Sequence, residues 1–82
     1  MDKRIGTITI IITNRTAQAG AVNAILGEYG DAVIGRMGLP YPPKGLHIIA
    51  LIVHASTDVV GALTGKLGAL EGVEVKSALT RV

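Results

Sequence analysis

Residues 20–27 read GAVNAILG, and forty-one positions later residues 61–68 read GALTGKLG. The echo extends beyond the eight residues. An apolar run precedes each copy at nearly the same offset, at 4–13 and 46–55, and a short β-like run follows each, at 32–38 and 73–79. A period of about 40 residues is one supersecondary unit. Each unit spells strand, helix, strand, so the chain reads βαββαβ. Two such halves packed together predict an α+β, ferredoxin-like sandwich: a four-stranded antiparallel sheet with both helices on one face.

The individual elements follow from residue spacing. In the first strand Ile8, Ile10 and Ile12 point one way, and Thr7, Thr9, Ile11 and Thr13 the other. The turn at 13–16 offers Asn14 or Thr16 as the N-cap of the first helix. Val22, Ile25, Leu26 and Tyr29 share one stripe of that helix, and Gly30-Asp31 is expected to end it. A weaker edge strand is expected over 32–38. Pro40, Pro42, Pro43 and Gly45 then predict a long loop that no strand enters. The third strand, HIIALIVH at 47–54, is apolar on both faces. Ser56-Thr57-Asp58 caps the second helix, whose inner stripe is Val60, Leu63, Leu67 and Leu70. Gly72 closes it, and the last strand turns Val73, Val75 and Leu79 inward, with Glu74 and Lys76 outward.

The first and third strands are the two longest apolar runs, as central strands should be. The helices shelter one face of such a sheet, while the other is aliphatic and uncovered, which marks an interaction surface. A second copy is the simplest cover, so a homo-oligomer, dimer or tetramer, is expected. The need is sharpened by size, because a domain of 82 residues buries only about 60–65% of the surface its unfolded chain exposes. The chain is read as one domain, 1–82. A stripe of Gly20, Ala24 and Gly27, and another of Gly61, Gly65 and Gly68, lie opposite the apolar stripes. Either they admit another backbone or they are a tolerated solvent face.

Several functions are excluded by residue type. With no cysteine there is no disulfide framework, thiolate metal site or thiol chemistry. The central strands hold no aromatic residue on which a base could stack, and the net charge of +2 is scattered, so no nucleic-acid partner is expected. The start MDKRIGTITIII is too short and interrupted an apolar run for a signal peptide, and 48–53 cannot span a bilayer. A cytoplasmic protein with no membrane partner is expected. There is no paired-carboxylate, Walker or Ser/His/Asp arrangement, and the NRTAQAG loop has Arg15 without a glycine cradle, so no catalytic residue is assigned. His47 and His54 lie seven residues apart on one strand, on opposite faces and more than about 20 Å apart, and cannot hold one metal within a subunit. They are expected to sit near solvent at the strand ends; an intersubunit site would be their only route to a shared metal.

The stretch DVVGALTGKLGALEGVEVK at 58–76, with the opening KRIGTITIIITNR and the middle VIGRMGLP, resembles the iron-only hydrogenase system regulator family. The likeness spans nearly the whole chain, and GALTGKLG followed by GVEVK is its most specific part. That family is grouped with ACT-like domains and the effector domain of the nickel-responsive repressor, all ferredoxin-like and oligomeric. The resemblance implies a stand-alone, non-enzymatic regulatory protein that senses a small ligand or metal at subunit interfaces, or contacts a hydrogenase-system protein. Carried over from ACT domains, a ligand site in the loop after the first strand falls on Asn14, Arg15 and Thr16. The Asp-x-Pro-Gly turn of ACT domains is absent there, as are the cysteine and closely spaced histidines of the nickel repressor. The chain opens directly on the first strand, so no DNA-binding arm is expected. No cofactor is assigned. The alternative is an oligomeric scaffold that binds a partner protein and no small molecule.

Overall fold

The computed structural model describes residues 2–13 and 15–82, with the backbone alone at residues 15 and 16. The elements are β1 (Arg4–Ile12), α1 (Arg15–Glu28), a 3-10 turn at Gly30–Ala32, β2 (Val33–Tyr41), a second 3-10 turn at Pro42–Lys44, β3 (Leu46–Ala55), α2 (Thr57–Gly68) and β4 (Val73–Leu79). The sheet order is β2-β3-β1-β4, antiparallel throughout. This is the expected βαββαβ sandwich, with the two most apolar strands at its centre.

Register decides what each face carries. Ile8 pairs with Leu51 and Ile10 with Ile49 across β1 and β3, and Val73 and Val75 on β4 pair with Ile12 and Ile10. These positions share the covered face, because residues directly opposite in a ladder point the same way. Val22 and Leu26 of α1 and Val60, Leu63 and Leu67 of α2 close the core over them. Ile8, Ile10, Val53, Leu63 and Leu67 have no measurable exposure. β-branched isoleucines suit the pleated positions, where a single staggered χ1 packs without further entropy loss.

Local chemistry sets the boundaries. Ser56 Oγ accepts the Val59 amide at 3.2 Å and caps α2. Gly72 adopts φ 76°, a left-handed conformation that costs a side-chain-bearing residue about 1–2 kcal/mol. That turn presents the Gly72 carbonyl to both the amide and the hydroxyl of Thr13, at 2.9 and 3.0 Å. At Gly6 the strands β1 and β4 approach so closely that a Cβ would meet the Ala78 carbonyl oxygen at 2.6 Å and the Leu79 side chain. Beyond β4, Ile5 binds the following segment: its carbonyl accepts from the Thr80 amide at 2.9 Å, and its amide donates to Val82 at 2.8 Å.

One expected boundary is corrected, and the end of α1 falls where Gly30-Asp31 placed it, though by another kind of turn. β2 does not stop at residue 38 but runs through Pro40 to Tyr41, paired with His47 and Leu46. An edge strand offers half of its amides to solvent, so a missing donor there is tolerated; only 42–45 remain as a connection. Gly30 does not act as a left-handed cap. α1 ends at Glu28, and Gly30 opens a 3-10 turn instead. Among the described residues only Gly45 and Gly72 have positive φ.

Candidate interaction face and clefts

On the uncovered face the ladder places Met37 opposite Ala50, Leu39 opposite Ile48 and Tyr41 opposite Leu46, with Ile52 between Gly35 and Thr7. Met37 is 63% exposed and Ile52 48%, and Leu39 and Tyr41 are exposed beside them. The same face over β1 and β4 carries Thr7, Thr9, Glu74 and Lys76, with a half-buried Ile11 between Ile48 and Glu74. The most exposed apolar side chains of this face therefore form a patch over β2 and β3, bordered largely by polar residues. Exposed apolar patches rimmed by polar residues are the pattern that contact sites share.

Two clefts lie at opposite ends of the sheet. The wider, about 320 Å³, opens where β1 begins and β3 ends. Lys3, Glu28, Tyr29, Asp31, His54 and Ser56 line it, mixing both charges. At its margin Lys66 Nζ binds Glu28 Oε2 at 2.9 Å and stands 5.2 Å from the centre of the Tyr29 ring. The hydrogen bond to Glu28 holds that exposed ammonium above its usual pKa. The narrower, about 150 Å³, opens where β1 ends and β3 begins, over a floor of Ile12, Val22 and Ile49, with Asn23, Arg36 and His47 as its polar wall. Arg36 Nη2 donates to Asn23 Oδ1 at 2.8 Å, tying β2 to α1.

Of the expected site residues, Asn14 lies outside the described residues, as do the Arg15 and Thr16 side chains; the backbone places 15 and 16 in the first turn of α1. Thr16 is thus inside the helix and not its N-cap. Thr13 bonds the Gly72 carbonyl and Gln18 Nε2 donates to the Glu71 carbonyl at 2.8 Å, so these two residues sit against the α2–β4 turn. His47 and His54 face opposite sides of β3 at its two ends, as read. His54 is exposed, but His47 is not a solvent histidine. It pairs with Ile12 on the covered face, and its Nδ1 is buried without a hydrogen-bond partner among the described residues. The sequence held that signal: residue 47 has the same parity as core positions 49, 51 and 53. Arg36 and Asn23 carried no such mark, because their meeting depends on how α1 lies over β2. No cluster of three or more His, Asp or Glu able to hold a metal occurs among the described residues. None of their helices is long and apolar enough to cross a membrane.

The pattern of the TM1266-like family, described as "Iron-only hydrogenase system regulator, putative", matches residues 4–77 of the 82. The chain belongs to that family. The match takes in every strand but the last two residues of β4, and both helices. Among solved structures, that of the uncharacterized protein TM1266 from Thermotoga maritima is similar over 98% of this chain and 100% of its own, with 32% identity and a TM-score of 0.93. No curated protein matches the chain. The TM1266-like family thus supplies a fold and a regulatory description, consistent with the resemblance read from 58–76.

Proposed function

We propose that this TM1266-like protein is a non-enzymatic, ACT-like regulatory module of an iron-only hydrogenase system that works as a homo-oligomer. One observation carries the reading: the apolar patch of Met37, Leu39, Tyr41 and Ile52 on the uncovered sheet face. From strand spacing and rise the face measures roughly 19 by 30 Å. Two copies stacked on it would bury on the order of 1,000 Å², at the lower end of specific interfaces. Polar residues over β1 and β4 give that interface a rim. The regulatory role rests on the family description, and a small effector held beside a subunit boundary is its simplest mechanism.

Sedimentation equilibrium tests the assembly. A dimer or larger particle is expected, and a single 8.4 kDa species at all micromolar concentrations would sink the reading. A thermal-shift screen against amino acids, nucleotides and divalent metals addresses sensing, since a ligand that binds only the folded state raises its melting temperature. An oligomer that responds to none of them is the scaffold alternative, which the same apolar patch supports equally.

A further inference from the structure

The narrow cleft under α1 contains more polar chemistry than packing requires. Neither ring nitrogen of His47 makes a hydrogen bond among the described residues, and Nδ1 is sealed from solvent. A buried polar atom left unpaired costs about 1–3 kcal/mol. Retaining an imidazole on a core-facing position of β3 therefore needs a reason. With Nδ1 shut away, Nε2 is the nitrogen left to meet a partner. It lies on the β2 side, where a Cβ built on Gly38 would stand 3.6 Å from it and 3.8 Å from Ile49 Cγ1. Gly38 alternates with Arg36 and Pro40 on the same face of β2, so the guanidinium and the imidazole flank a position with no side chain.

The electrostatics of that space are one-sided. Arg36 is a permanent cation, and its bond to Asn23 uses one of five N–H donors. No acidic residue is among those lining the cleft. Ile12, Val22 and Ile49 form an apolar floor beneath. The volume of about 150 Å³ is roughly that of five waters, enough for a compact organic anion and too little for a nucleotide. We infer that this cleft binds a small aliphatic carboxylate. Its oxygens sit over Gly38 between the Arg36 guanidinium and His47 Nε2–H, and its short tail lies on the isoleucine and valine floor. Charge-assisted bonds to a planar guanidinium suit a carboxylate. The site is built within one chain, so it stands or falls separately from the assembly proposed above.

Propionate and its neutral isostere propionamide test this directly, in ¹⁵N-resolved NMR of the full chain. Propionate is expected to shift the His47 Nε2 and Arg36 side-chain signals and to saturate, while propionamide leaves them in place. Arg36→Gln is expected to weaken propionate binding about tenfold or more, as loss of one charged hydrogen bond implies. Gly38→Val should abolish it by filling the space over the strand. If that variant does not fold, Arg36→Gln still decides, because its side chain is exposed. Equal response to the two compounds, no response to either, or binding undiminished by Arg36→Gln overturns the inference. Propionate binding by a Met37→Lys monomer would leave it standing while showing that cleft and interface are independent.

Discussion

The second half of the repeat ends the sheet with Glu74 and Lys76 turned to water, whereas the first half ends it with Met37, Leu39 and Tyr41. The helices differ in the same direction. α2 has a Ser56 cap, Asp58 in its first turn, Lys66 in its last and three buried aliphatics. α1 has no acidic residue in its first turn, no basic residue in its last, and buries Val22 and Leu26. One duplicated design has thus been divided in labour. The half around α2 holds the better-capped and more deeply buried helix, and the half around β2 the more exposed apolar edge. The exposed edge β2 and Arg36 of the narrow cleft belong to that first half, and both meet β3 of the second.

Six substitutions can break or sharpen this contrast. Leu63→Ala, at a fully buried α2 position, is expected to cost about 2–5 kcal/mol. That is a large share of the stability of a domain this size. Denaturant melts should show a smaller loss for Leu26→Ala in α1, and equal losses would erase the asymmetry between helices. Met37→Lys should weaken self-association by about a hundredfold, since an unpaired charge would be desolvated at the patch, while Lys76→Met on the opposite edge should leave the particle mass unchanged. Sedimentation of the two variants compares the edges side by side. Ser56→Ala should cost about 1 kcal/mol by orphaning the Val59 amide. Smallest is Gly65→Ala, where a Cβ meets nothing within 4 Å. It should stabilise the isolated fold by up to about 1 kcal/mol. A Gly65→Ala protein that melts higher but no longer associates would assign the glycine stripe to an interface.

The architecture was legible because periodicity reports burial directly. The alternation of Ile8, Ile10 and Ile12 and the 60-63-67 spacing of α2 each name a face without knowledge of the partner element. The reach of β2 was not legible, since Pro40 forbids a central strand but not an edge, and edge status is a property of the assembled sheet. The uncovered apolar face could be read from β3 alone. The concentration of its most exposed side chains over β2 and β3 could not, because that depends on which residues of β4 the register brings beside β1. The Arg36–Asn23–His47 group joins three elements whose sequence separations carry no common period. A resemblance could point to the loop at 14–16 but not to this cleft, which a helix and three strands make together.

The edge strand β2 is irregular in two places: its register against β3 shifts between Val33 and Gly35, and a proline stands at 40. Between these breaks only residues 36–39 present uninterrupted backbone to a passing chain. A bulge and a missing donor are recognised obstacles to strand-by-strand growth. Recruitment of further copies along that margin would have little to copy, whereas the flat side of the sheet has no such gap. Open-ended, strand-by-strand stacking on that edge is thereby hindered, and Pro40, which forbids a central strand, is part of the hindrance.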